Sequence, residues 1–296
     1  MEAIFTQLER SGISTIPTVL TRLLEISRDQ EAEALDLARV CEKDIAIGSQ
    51  LLRVANSVYF GRTMDQPRVD NLTDAVVRIG FRRAQEIIMS AYVSNVFKSR
   101  PAVVDYSLTA LWKHSIAVAT ANRLLFKKVY GRLESLDPYL CGLFHDIGIL
   151  LEHQFLLEKG FARAVEQRYA RRATLEHVEH EIFGFSHAEL GAELARRWAF
   201  PECFAELISC HHRTDLPADH PWLPMIQINQ VSEWLCFALN MGYCDFSKEH
   251  AGALGRARQG LDISDIDIQQ IAGWLRTEIE AYNRIGWFRN HTHRAA

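Results

Sequence analysis

Stretches of alternating polar and apolar residues are scarce in this sequence, so little or no β-sheet is expected. A basic excess is missing too. The 33 Lys and Arg residues face 37 Asp and Glu, for a net charge of -4 and a pI near 6.3. No positive field is present to attract nucleic acid, and that class of partner is not expected. No apolar run reaches the roughly 20 residues of a membrane-spanning helix, so no membrane partner is expected either. The opening residues, Met1 to Thr6, lack a basic segment followed by a long apolar run. The six cysteines, Cys41, Cys141, Cys203, Cys210, Cys236 and Cys244, form no C-x-x-C pair. They read as buried, reduced thiols rather than a disulfide framework or a thiolate zinc site. Together these absences predict a cytoplasmic protein. No repeat, low-complexity segment or domain-sized linker interrupts the chain.

What is present is helical periodicity. Hydrophobic residues make up 48% of the 296 residues and charged residues 24%, enough for a sizeable core. Ile16 and Pro17 precede an apolar face of Val19, Leu20, Leu23, Leu24 and Ile26. A second helix carries Leu35, Leu37, Ala38, Val40 and Cys41. Asp44 is placed to cap a third, from Ile45 to Ala55. That helix ends near Asn56 and Ser57, with Gly61 in the loop beyond. A fourth follows Asn71 and ends at Gly80, and a fifth runs from about Arg82 to Phe97. Asn56 and Ser57 have side chains suited to satisfying a helix end, an alternative to binding a ligand.

Beyond Ser107 the polar residues become informative. His114 lies in an apolar helical stretch, and Gly131 closes it. Asp137-Pro138 opens the next helix, which is expected to carry His145 and Asp146 in its apolar middle. Burying an imidazole and a carboxylate costs several kcal/mol unless they are paired, hydrogen-bonded or bound to metal. Arg163, Arg168, Arg171 and Arg172 mark a solvated face. Ser186 and Glu189 have the form of a capping box, which puts His187 in the first turn of a helix. The following helix starts at Pro201 and ends at the His211-His212 pair. A tight antiparallel hairpin is expected to keep His187 and that pair apart, so their meeting is left to the crossing angle. His114 and His187 also have a plain alternative as helix-end caps. Ser264 can cap a last helix carrying Ile268, Ile271, Trp274 and Ile279, and residues 290–296 read as a frayed end.

Three blocks resemble the HDOD family, the HD-related output domains of bacterial signalling proteins. They are Ile16-Pro17, the stretch from Glu42 through Asn56-Ser57 to Gly61, and Leu72 to Gly80. The resemblance implies an all-α, two-lobed protein: an N-terminal helical lobe over residues 1–100 and an HD-like helical core over 101–296, with a boundary near 98–108. The ordered series His114, His145, Asp146, His187, His211 and His212 is similar to the ligand set of HD-superfamily metal phosphohydrolases, above all the cyclic-dinucleotide phosphodiesterases with a Gly-Tyr-Pro motif. It implies a divalent transition metal, iron, manganese, nickel or zinc. Paired metals in such sites clamp a phosphate and generate hydroxide near neutral pH.

Three departures set this chain apart. Ile149 stands where active members carry a lysine. Gln230, with Asn229 and Ser232 beside it, is aligned where a late-helix aspartate closes the metal cage. After the histidine pair the chain reads from Arg213 to Trp222 with no Gly-Tyr-Pro block, and Asp215 or Asp219 is the only carboxylate substitute there. No catalytic or nucleotide-binding residue is therefore assigned. The expected function is a non-catalytic output or scaffold domain with a degenerate metal site, at most one metal equivalent, a protein signalling partner and a candidate nucleotide ligand. A metal-dependent phosphohydrolase is the alternative.

Overall fold

Helices begin where the sequence supplies caps. The Asp44 carboxylate accepts from the backbone N–H of Ala46 and Ile47 and opens the helix Ile45–Ala55, and Asp137 does the same for Tyr139 and Leu140 with Pro138 in the first turn. Ser186 and Glu189 form the reciprocal capping box, and Ser264 caps Asp267. The structure is a computed structural model that describes residues 1–10, 18–29, 31–60, 67–96, 106–131, 137–243 and 248–288. Ile16-Pro17, Gly61, most of the 98–108 boundary, Cys244 and residues 290–296 lie outside that set.

The elements in order are α1 (Glu2–Arg10), α2 (Thr18–Arg28), α3 (Ala34–Glu42), α4 (Ile45–Ala55), α5 (Leu72–Ile79), α6 (Phe81–Val96), α7 (Leu108–Tyr130), α8 (Pro138–Phe144) and α9 (Ile147–Phe155). They continue with α10 (Ala162–Arg171), α11 (Leu175–Phe183), α12 (His187–Arg197), α13 (Glu202–Cys210), α14 (Leu223–Ala238), α15 (Lys248–Gly260) and α16 (Asp265–Arg284). A 3₁₀ turn, Val58–Phe60, follows α4, and a π turn, Leu157–Phe161, joins α9 to α10. No strand occurs among the described residues, so the protein is all-α. No single described helix is long and apolar enough to cross a membrane.

By packing, the chain forms two compact units that are discontinuous in sequence. The larger takes Met1–Thr15, Lys98–Thr277 and His291–Ala296, and the smaller takes Ile16–Phe97 and Glu278–Asn290. The contiguous lobes expected at 1–100 and 101–296 differ from this at both ends. The reason at the start is α1, which buries Ile4, Phe5 and Leu8; the Arg197 guanidinium sits 4.1 Å from the Phe5 ring centre and pairs with Glu2 at 2.7 Å. At the end, the last part of α16 brings Glu278 to Arg83 at 2.6 Å and the Tyr282 ring to 5.7 Å from Phe60.

In the smaller unit, Asn56 acts as a clip. Its amide donates to the carbonyls of Leu52 and Val69 and accepts from the Val69 N–H, closing α4 onto the segment before α5. The helix-end role weighed for Asn56 and Ser57 is the one both side chains fill, since Ser57 donates to the Val54 carbonyl.

In the larger unit, two glycines allow helices to touch. A Cβ on Gly142 would lie 2.7 Å from Ala119 of α7, and one on Gly148 would lie 1.9 Å from the His187 carbonyl oxygen. These contacts fix α8 on α7 and α9 on the start of α12. One expectation for α10 is corrected: Arg163, Arg171 and Arg172 are exposed, but Arg168 is buried, with its guanidinium over the rings of Tyr169 and Tyr243. The aliphatic stem and planar head of arginine suit such stacking inside a core.

Candidate metal centre

The stretch around His145 is two helices, not one. α8 ends at Phe144, α9 begins at Ile147, and the His145-Asp146 dipeptide forms the break. Asp146 has φ -100 and ψ 18, outside the helical region. At that break both side chains turn inward, with Asp146 Oδ2 against His145 Nε2.

The hairpin expectation is also overturned. In an antiparallel helix pair, the start of the first helix and the end of the second share one end, so α12 and α13 bring His187 and His212 together. Their Nε2 atoms are 3.1 Å apart. His114 lies well inside α7 and is no helix-end cap.

All six expected ligand residues meet at one place. Asp146 is at the centre, and its two oxygens face different groups. Oδ2 lies 3.2 Å from His145 Nε2 and 3.6 Å from His114 Nε2; these two rings approach each other to 3.2 Å. Oδ1 lies 3.4 Å from His211 Nε2 and 3.7 Å from His187 Nε2. His145 and His187 are 0% exposed, His211 1%, His114 2% and Asp146 5%, which leaves the donor atoms almost sealed from solvent.

The outer nitrogens explain how the rings are aimed. Nδ1 of His145 bonds the Gly142 carbonyl, and Nδ1 of His211 bonds the Ile208 carbonyl, each at 2.7 Å. Nδ1 of His187 bonds Glu179 at 2.7 Å, and Nδ1 of His212 lies 3.9 Å from Glu233. An imidazole whose Nδ1–H is taken by an acceptor presents its Nε2 lone pair on the other side. His211 Nε2 is buried without a well-formed hydrogen bond. That donor set, nitrogen and carboxylate oxygen with supported rings, fits a divalent transition metal. Two ligand groups are available: Asp146 with His187, His211 and His212, and Asp146 with His114 and His145.

Charge in the centre is arranged by burial and by the neighbours. Burial, then the nearby His145 ring, lowers His114 to about 3 against the pull of Asp146, so His114 is neutral and its approach to Asp146 is no ion pair. Burial also opposes ionisation of Asp146, but His145, His211 and His114 hold its carboxyl well below the usual range. Burial likewise opposes charging of His187, yet the Glu179 carboxylate overrides it and raises the imidazole to about 10. Glu179 is itself lowered by His187, despite burial. Glu152 goes the other way: burial, then Glu179, raises it well above the carboxylate range, and it stays protonated.

Several of these residues were not singled out in the sequence. Glu179 and Glu152 are 0% exposed, and each interrupts an apolar face, a signal that was open to reading. On α14 the residue aligned with the missing aspartate is displaced. Gln230 turns outward and donates to the Arg213 carbonyl at 2.7 Å, and the inward position belongs to Asn229. Asn122 donates to Asn229 at 2.9 Å, Asn229 donates to Glu233 at 2.7 Å, and Glu233 faces His212. Asp215 is held on the surface by Arg213 at 3.0 Å, and Asp219 is exposed; neither belongs to the ligand groups. Ile149 is fully buried at the position expected for lysine.

Comparison with known proteins agrees with this architecture. A protein of Treponema pallidum (strain Nichols) is 29% identical over 219 residues, which is 72% of this chain; the chain spans only 40% of that protein's length. An HDOD-domain protein of Geobacter sulfurreducens superposes with a TM-score of 0.70 at 23% identity, covering 97% of this chain and 98% of that one. A Shewanella amazonensis protein provisionally described as a phosphohydrolase gives 0.68 at 20% identity, covering 97% and 98%. A Marinobacter aquaeolei protein provisionally described as a signal transduction protein gives 0.73 at 19%, covering 93% of this chain and 59% of that one. The HDOD domain model matches residues 13–214, which include every residue of the histidine centre, and the chain belongs to the HDOD family.

Proposed function

We propose that this chain is a signal-transduction module whose histidine centre binds divalent transition metal as an internal clamp and does not turn over phosphate esters. The burial of the donor atoms carries this reading. With Asp146 and four of the histidines 5% exposed or less, and only His212 part-exposed, the described residues leave a phosphate ester no open route to an ion held there. Ile149 supplies no cation for a phosphate, and Asn229, a neutral amide, faces inward from α14. Two clefts, of about 430 and 490 Å³, are lined by Pro67 to Arg78 and by Arg171 to His180, and neither lining includes Asp146 or a histidine of the centre. The output of such a module is contact with a protein partner, and a nucleotide is the candidate small ligand.

His187, His211 and His212 would hold an ion with Asp146 as the anionic ligand, and His114 and His145 would hold one on the other side of that carboxylate. Such an ion, when bound, supplies Lewis acidity and a cross-link between helices. The chain's own residues do the rest. Glu179 and the carbonyls of Gly142 and Ile208 orient the rings, and the apolar walls of α8 and α9 exclude water.

One observation favours the phosphohydrolase reading. The two Asp146 oxygens face separate histidine groups, as a two-metal clamp requires. It also raises the expected capacity from one ion to two. Metal analysis of the purified protein, with turnover of cyclic dinucleotides and generic phosphate esters in added manganese or iron, separates the readings. We expect bound metal without turnover, and loss of that metal in the double variant His145→Ala, Asp146→Ala. Sustained hydrolysis would establish the phosphohydrolase; metal content unchanged in the double variant would remove the centre from consideration.

A further inference from the structure

We propose that Glu206, Cys210 and His220 form a second metal site, distinct from the histidine centre, that takes a thiophilic divalent ion of the zinc type. Glu206 and Cys210 are four residues apart on α13, so their side chains share one face of that helix. The segment between α13 and α14 returns over the same face and delivers His220. Cys210 Sγ lies 3.8 Å from Glu206 Oε2, and His220 Nε2 lies 3.7 Å from the same oxygen. One donor atom from each of the three falls within 4.8 Å of the others, and outside the histidine centre no other group of His, Cys, Asp and Glu among the described residues converges this closely.

The donor chemistry sets the ion. A thiolate, an imidazole and a carboxylate together suit zinc, whereas hard cations such as magnesium and calcium prefer oxygen alone. Three protein donors leave a fourth position for water or an outside ligand. The site can be reached: Cys210 is buried, but the side chains of His220 and Glu206 are 16% and 33% exposed. Its affinity has a built-in limit. The Trp222 N–H approaches His220 Nδ1 at 3.3 Å, which leaves the ring proton on Nε2. Ligation at Nε2 moves that proton to Nδ1 and gives up this long bond. When filled, the site pins the 213–222 segment to α13.

Cobalt(II) titration of the full-length chain tests this directly, because thiolate ligation produces a thiolate-to-cobalt charge-transfer absorption. The histidine centre contains no thiol and cannot give that signal. We expect the band in the parent protein, its bleaching by one equivalent of zinc and its loss in Cys210→Ser. His220→Ala, a change in a surface segment, should weaken cobalt binding at this site by at least about tenfold, since even lost supporting groups weaken metal sites by that much. The band should survive in the His145→Ala, Asp146→Ala variant. Absence of the band at excess cobalt, or its persistence in Cys210→Ser, would overturn the site. So would its loss in the double variant with circular dichroism unchanged.

Discussion

The Glu179 carboxylate holds His187 at two points: the same oxygen accepts from the backbone N–H at 2.8 Å and from ring Nδ1 at 2.7 Å. One carboxylate thus fixes both the start of α12 and the direction of the His187 ring. Removing one partner of a buried ion pair leaves the other charge uncompensated. Glu179→Ala should lower the unfolding free energy of the metal-free protein by about 3–5 kcal/mol and weaken metal binding by about 10–100-fold. Urea denaturation and competition with a chromophoric chelator read the two effects. A stability change under about 1 kcal/mol would show that this pair contributes little.

Gly148 and Gly273 make a matched test of close approach. A Cβ at Gly148 meets the His187 carbonyl at 1.9 Å, whereas one at Gly273 meets nothing within 4 Å. Gly148→Ala must push α9 from α12 and should cost about 1–3 kcal/mol or more. Gly273→Ala should stabilise the protein by about 0.5–1 kcal/mol by restricting the unfolded chain. Equal effects from the two substitutions, measured by thermal denaturation, would contradict the packing described.

The thiols should react in a set order. Burial, then Asp44 and Glu42, pushes Cys41 up to about 12, and burial raises Cys141 well above its ordinary value. At pH 8 the thiolate fraction of Cys41 is then on the order of 10⁻⁴. Cys203 is the partly exposed thiol of the five described. Alkylation of the native protein at pH 8, followed by peptide mass spectrometry, should label Cys203 well before Cys41 and Cys141. Fast labelling of Cys41 would refute its assigned burial.

Asn56 uses both ends of its amide, so two substitutions separate its roles. Asn56→Ala should destabilise the protein by about 1–2 kcal/mol. Asn56→Asp keeps the acceptor for the Val69 N–H but turns a carboxylate toward the carbonyls of Leu52 and Val69, and should be at least as damaging. Neither change should alter metal content. An aspartate variant as stable as the parent would exclude the clip.

The parts legible in the sequence were those governed by local chemistry. Asp44, Asp137-Pro138 and Ser186-Glu189 announce helix starts because a cap acts within three residues of itself. The six residues that converge in the histidine centre were visible by type and order. What depended on helix phase was harder. α14 is buried on most sides, at Met225, Ile226, Ile228, Val231 and Leu235, so its apolar pattern does not say which residue faces the centre, and Gln230 was aligned where Asn229 stands. The break at His145-Asp146 was hidden because an apolar run gives no sign of interruption. Glu152 and Glu179 do interrupt apolar faces, but a glutamate on a helix is ordinarily solvated, and the partner that makes each tolerable lies on another helix.

The residues of the histidine centre stretch from His114 to His212, a span of about a hundred residues. No shorter piece of the chain contains the whole set. During synthesis the centre therefore cannot assemble until the end of α13 has left the ribosome, and at about 5–20 residues per second that interval lasts several seconds or more. Throughout it, Asp146 and the earlier histidines wait without the helices that bury them. A chain truncated before His211 would lack the part that closes the centre.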